Sequence, residues 1–229
     1  FLANQQKDNK RGMRFGCFAR CWIIGVLAAL MSFGEIGAAY EPAILTNHRP
    51  VKPDEHPRLI VRGDGLTVLK RDAQEPWGQQ IVTRMKQALK LMEKMAITGR
   101  NRDVLKEAGF EAAGHGAIYA LEASQTSAAA AKKIAITEVV LYPLTSRLSM
   151  MDRLSRLGGT AIAYDLCYDV WDETTRKKVR TFLLRESQRV IDAVENEGVD
   201  HADGPEAVTA WATSGLVELA VLGDYEDPQ

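Results

Sequence analysis

From Ser149 to Asn196 the apolar residues recur at three- and four-residue spacing, and that pattern admits helices and little else. Met151, Leu154, Leu157, Ala161, Tyr164 and Tyr168 fall on one face of a first long helix. A short break near Trp171–Asp172 follows. Asp172 is a good N-cap type, and Glu173 adds negative charge where a helix start is electropositive. The second helix then turns Val179, Phe182, Leu183, Val190, Ile191 and Val194 inward. Arg176, Lys177, Lys178, Arg180, Arg185 and Glu186 are expected mostly to face water. Together the two predict an αα-hairpin.

The preceding chain reads in the same way. His56 to Val61 is a short apolar extended run ended by Gly63-Asp64-Gly65, and Leu66 to Ala73 is a first short helix. Glu75 to Ala96 is amphipathic, with Trp77, Ile81, Met85, Leu89, Met92 and Met95 in a stripe, Pro76 in its first turn and Gly99 past its end. Asn101 to Phe110 is read as a polar connection. Glu111 to Glu122 and Ser127 to Tyr142 are two further helices, antiparallel across a short polar break, with Pro143 as the stop. After a loop from Asn196 to Gly204, Glu206 to Leu222 is the last helix. Val208, Trp211, Ala212, Leu216, Leu219 and Ala220 are expected inward, and Gly223 ends it. No run of alternating strands is present, so the class is all-α.

The N-terminal stretch carries a different signal. Met13 begins a segment with Arg14 and Arg20, an apolar run from Trp22 to Phe33, and small residues at Gly37-Ala38-Ala39. This predicts a secretory signal peptide over 13–39, too short for a comfortable membrane span. Residues 1–12 are read as an upstream, non-native segment, 40–55 as a proline-containing linker, and 56–229 as the helical domain. The expected location is secreted or periplasmic, with membrane contact only through the signal segment. Lys and Arg total 29 against 30 Asp and Glu, a net charge of −1, which gives no global drive toward nucleic acid. Of Cys17, Cys21 and Cys167, only the last follows the predicted cleavage site, so no intramolecular disulfide is expected.

Four phrases, in this order, carry a resemblance: His56-Pro57-Arg58-Leu59-Ile60-Val61 with the helix start at Asp64–Leu66; Ala117-Ile118-Tyr119-Ala120-Leu121 with the alanine-rich stretch from Ala128; Leu157 to Asp169 around Ala163-Tyr164-Asp165-Leu166; and Ala207-Val208-Thr209-Ala210-Trp211 through Leu222-Gly223-Asp224-Tyr225. They resemble the N-terminal α/α-toroid region of the heparinase II/III-like polysaccharide lyases, over about residues 56 to 227. The resemblance implies an incomplete α/α toroid of antiparallel helical hairpins, with a C-terminal β-sandwich domain missing after Gln229. It implies β-elimination on an acidic, uronic acid-containing polysaccharide, in a cleft between the two domains, and an inactive chain when the first portion stands alone. Such chemistry needs a base for the proton beside the carboxylate, an acid for the leaving oxygen, and a polar group that offsets the carboxylate charge.

The residues for that chemistry are sparse. The family's asparagine at the start of the last helix is absent, the sequence reading His201-Ala202-Asp203-Gly204-Pro205-Glu206. His201 and Glu206 are the candidate catalytic residues at that edge, and Tyr119, Tyr168 and Trp211 are candidate sugar contacts. Asp165 and Asp169, four apart, would share a helical face, the arrangement of a paired-carboxylate hydrolase on the same toroid. Asp165 between Tyr164 and Leu166 equally suits a buried hydrogen-bonding role. His115, between Gly114 and Gly116, is placed near a helix start as a ligand, base or packed residue, and Cys167 as a small buried hydrophobe. No metal-ligand spacing, nucleophile elbow, phosphate loop or dinucleotide fingerprint occurs, so no cofactor or metal is expected. The alternatives to a lyase are the hydrolase, with Asp165, Asp169 or Glu206 as acids, and a non-catalytic glycan-binding or scaffold domain.

Overall fold

A computed structural model describes residues 55–97, 102–140, 149–196 and 205–221. All regular structure among them is helical. The order is α1 (Gly63–Asp72), α2 (Pro76–Ile97), α3 (Arg102–Glu122), α4 (Gln125–Ile134) running on as a π-helical segment (Ala135–Val140), α5 (Met150–Leu166), α6 (Glu173–Asn196) and α7 (Pro205–Val221). The expected segments 1–12 and 13–39, most of the 40–55 linker, and His201 lie outside the described residues.

Local chemistry sets several boundaries. The Ser124 hydroxyl accepts from the Ser127 N–H at the start of α4, and Ser149 does the same for Asp152 at the start of α5. Asp172 caps α6 as its residue type suggests, accepting from the Thr175 N–H at 2.9 Å and from the Thr175 hydroxyl at 2.7 Å. Ala123, in the turn between α3 and α4, has a φ of 55°, which costs a side chain more than it costs glycine.

The centre is α5. It makes its most extensive contact with α3 and its next with α7, while α6 packs on both α5 and α7, and α4 and α2 flank α3. Leu154, Leu157, Ala161 and Tyr164 of α5 join Ala108 and Ala112 of α3, Val179, Phe182, Leu183 and Val190 of α6, and Ala210, Val217 and Ala220 of α7 in one buried cluster. The Trp171 indole, also buried there, donates to the Ala128 carbonyl at 3.3 Å and so ties the α5–α6 turn to α4.

Four expectations need correction. The segment read as a polar connection over Asn101 to Phe110 is helical from Arg102 onward. Its Val, Leu, Lys, Glu and Ala are good or tolerable helix residues, and Gly109 sits where α5 comes too close for a side chain. The first helix begins at Gly63, so the Gly63-Asp64-Gly65 group opens it instead of ending a strand-like run. Glu186 does not face water: it is 2% exposed and takes Arg185 at 2.8 Å and Arg189 at 2.9 Å. On α7 the inward face is Ala207, Ala210, Ser214, Val217, Ala220 and Val221, whereas Val208, Trp211, Ala212 and Leu219 are exposed. That helix is apolar around most of its circumference, so periodicity could not choose a face. Small residues won the inward side because they let α7 approach α5 and α6 closely.

Candidate functional site

Among the described residues a buried polar constellation joins the lead-in segment, Glu55 to Arg62, to the C-terminal end of α5. The segment is folded on itself by Arg62, whose guanidinium grips the Glu55 carboxylate with contacts of 3.0 and 2.6 Å. The His56–Pro57 peptide is cis. Asp165, on the last turn of α5, accepts the Arg58 N–H at 3.0 and 2.9 Å through its two oxygens, and the Leu59 N–H at 2.9 Å. Its Oδ1 also meets His56 Nδ1 at 2.8 Å, and the two side chains are 0% and 1% exposed. A carboxylate is suited to this position because it offers several acceptor sites to donors whose burial would otherwise be costly.

Aromatic rings close around the pair. His56 stacks on Tyr168 with centroids 3.7 Å apart and planes within 10°, and Tyr164 makes T-shaped contacts with both rings, at centroid distances of 6.2 and 5.6 Å. The Arg176 guanidinium lies 4.5 Å from the Tyr168 centroid. A group that near cannot share the face His56 already covers, so it lies against the other one. Arg176 also donates to the Tyr168 carbonyl at 3.2 Å and pairs with Glu173 at 2.7 Å. On its far side, His56 Nε2 meets Arg58 Nη2, which also reaches the Ala220 carbonyl near the end of α7 at 3.5 Å.

These contacts fix the chemistry available. Nδ1 faces the Asp165 carboxylate and Nε2 faces the Arg58 guanidinium, an arrangement that suits the Nδ1–H tautomer. An aspartate–histidine pair can serve as a base only if the second nitrogen reaches a substrate. Here that nitrogen is occupied by Arg58 and the ring is buried, so the pair clamps the lead-in segment.

The expected sugar contacts stand on three separate elements. Tyr168 has both ring faces taken by His56 and Arg176, so it offers no face to a sugar. Tyr119, on α3, is half-buried against the core, and its hydroxyl is pushed above the ordinary tyrosine range, first by burial and then by Cys167 and Asp169. Trp211 is 52% exposed on the outer side of α7, where a ring face is accessible. Glu206 is the second residue of α7. Asp165 and Asp169 do not form a carboxylate pair: α5 ends at Leu166, Asp165 turns inward, and Asp169 is exposed in the turn.

His115 lies deep within α3, not near a helix start, because that helix begins at Arg102. Its Nδ1 has no hydrogen-bond partner, and burial lowers its proton affinity against a smaller opposing effect of Glu93. Cys167 is buried, and desolvation pushes its thiol up to about 12, which removes it as a nucleophile at neutral pH. Among the described residues no group of three or more His, Cys, Asp or Glu side chains could hold a metal ion, and no helix is long and apolar enough to cross a membrane.

Sequence reasoning missed three groups. His56 was read as part of an apolar run and of a family phrase but not as a polar contact, because its partner lies 109 residues away. Arg58 was missed for the same reason. Glu111, Asp152 and Arg156 are buried charges at 4%, 6% and 1% exposure, on α3 and α5, and Arg156 Nη2 donates to the Val139 carbonyl of the π-helical segment at 3.4 Å. The sequence reading did not single them out, because nothing in one sequence reports a polar contact made across the core. No family model, curated protein or solved structure matches this chain.

Proposed function

We propose that this chain is the N-terminal toroid portion of an exported polysaccharide lyase of the heparinase II/III-like kind, cleaving uronic acid-containing polysaccharide by β-elimination. One observation carries the reading. Two of the phrases that bear the resemblance, His56-Pro57-Arg58-Leu59 and Tyr164-Asp165, are joined in space through Asp165. Separate phrases that serve one contact are what a shared architecture would retain. A second observation agrees: α7 carries an exposed apolar face at Val208, Trp211 and Leu219, which suits a helix with neighbours on both sides in a continuing toroid.

In this account Asp165 and His56 are scaffold. The proton-transfer roles fall to His201 and Glu206, at the edge where α7 begins, and to groups of a C-terminal domain. Trp211 is the one aromatic contact with a free ring face. The signal segment delivers the protein to a periplasm or the cell exterior, where such polymers are met. A hydrolase built on Asp165 and Asp169 is disfavoured because the two carboxylates diverge.

The test is to sequence the locus beyond codon 229. The proposal expects a continuing frame with further helical hairpins, then a β-sandwich pattern with tyrosine and histidine candidates. A stop codon directly after Gln229 would reduce the reading to ancestry and favour a glycan-binding or decayed domain.

A further inference from the structure

We propose that the outer face of α6 is a binding strip for a linear, carboxylated polysaccharide. The chain as a whole is balanced, with a net charge of −1, but this helix is not. Between Glu173 and Asp192 it carries Arg176, Lys177, Lys178, Arg180, Arg185 and Arg189, and Glu186 is the one acidic residue. Glu186 is buried, whereas Lys177, Lys178, Arg185 and Arg189 are exposed. Arg176 is set apart, turned to Tyr168 and Glu173. Lys178, Arg185 and Arg189 fall in one row along the helix, about 17 Å long at 1.5 Å per residue, with Lys177 beside it. A row of one sign raises the local potential for an anion in a way that a mixed, merely solvated face does not.

The arginines of the row are held in place. Glu186 Oε1 accepts from Arg185 Nε at 2.8 Å and from Arg189 Nη1 at 2.9 Å, and the Arg185 guanidinium lies 5.9 Å from the Phe182 centroid. Like charges four apart on a helix repel, and this one buried carboxylate offsets the repulsion while both guanidinium groups stay exposed. Arg185 is bound through Nε, which leaves its two terminal nitrogens, the pair that takes a carboxylate through parallel N–H bonds. No large apolar side chain of α6 is exposed among the described residues. The strip therefore offers nothing to insert into a bilayer and no ring on which a nucleic-acid base could stack. A polymer held through its carboxylates fits this surface, and that they belong to uronic acids rests on the proposed function. The strip includes none of His201, Glu206 and Trp211, so it holds polymer without acting on it.

The experiment is calorimetric titration of the full chain with polygalacturonate at low salt, with dextran as the uncharged control. The proposal expects polygalacturonate to bind, added salt to weaken it, and dextran not to bind. Lys177→Gln combined with Lys178→Gln removes two exposed charges at about threefold each, so affinity should fall about tenfold. Lys90→Gln combined with Lys94→Gln takes the same charge from the exposed side of α2 and should change affinity less than about twofold. Absence of binding in the wild type, or equal losses in the two double variants, overturns the strip. Tighter binding to duplex DNA or to phosphatidylserine vesicles overturns the polymer assigned to it. Cleavage assays on the gene product read through past codon 229 separate this inference from the lyase. Strip-dependent binding without cleavage overturns the lyase alone, and cleavage without strip-dependent binding overturns the strip alone.

Discussion

Gly109 of α3 and Gly159 of α5 meet backbone to backbone: a Cβ on Gly159 would lie 2.3 Å from the Gly109 carbonyl carbon, and one on Gly109 would lie 2.5 Å from the Arg156 carbonyl oxygen. No side-chain rotation relieves such a clash, so the helices would have to part along the largest contact in the domain. Gly159→Ala should therefore lower stability by about 3 kcal/mol, despite the better helix propensity of alanine. Urea unfolding followed by circular dichroism checks this. A midpoint equal to or above the wild type's would show that α3 and α5 are not so close.

Asp165→Ala should be comparably damaging for a different reason. It strands the Arg58 and Leu59 N–H groups and the His56 Nδ1–H, and each buried orphan costs about 1–3 kcal/mol. Asp165→Asn keeps one acceptor oxygen and should lose less. Thermal unfolding of both variants measures the order. Wild-type stability in Asp165→Ala would remove the clamp.

These two sites mark the limit of what the sequence makes legible. Helix existence came through where periodicity was strong, as in α2, α5 and α6, and the Asp172 cap was readable from residue type alone. Gly109 fell within the stretch read as a polar connection, and its reason for being glycine is α5, which is remote in sequence. Asp165 was recognisable as a buried hydrogen-bonding residue, but not as the partner of residues 56 to 59. On α7 the apolar content exceeded what one face needs, so the pattern lost its power to point inward.

Asp172 links the start of α6 to α4 and should make that junction acid-sensitive. Its carboxyl is held well below the usual range, first by Lys132 and then by the Thr175 hydroxyl and N–H. A depressed carboxylate stabilises the fold above its unfolded value of about 3.9, and the benefit is lost as the pH falls through the folded value. The stability gap between wild type and Asp172→Asn should be constant above about pH 5 and shrink below about pH 4. Added salt should narrow the Lys132 part, because the pair is exposed. A gap unchanged at pH 3 would contradict the assignment.

His115 should contribute a separate loss on mild acidification. Burial lowers its proton affinity in the fold, so its contribution is complete above about pH 6.5 and declines as the pH drops below that value. Comparing unfolding midpoints at pH 7.5 and 5.5, His115→Gln should show a smaller acid-induced drop than the wild type. An identical drop would mean that the ring charges freely in the folded state.

Cys167 should resist alkylation until the domain unfolds. With its thiol pushed up to about 12 and its side chain buried, the thiolate is scarce and shielded. Peptide mapping after maleimide treatment should find this cysteine unmodified in buffer and fully modified in denaturant. Rapid labelling in buffer would show that the α5–α6 turn opens readily.

The central functional claim is best tested by incubating the gene product read through past codon 229 with uronic acid-containing polysaccharides, while following ultraviolet absorbance and reducing ends together. β-Elimination predicts that both rise, because each cleavage leaves an unsaturated uronic acid. Reducing ends without absorbance would identify a hydrolase, and saccharide binding without either signal would identify a non-catalytic domain; each result contradicts the lyase.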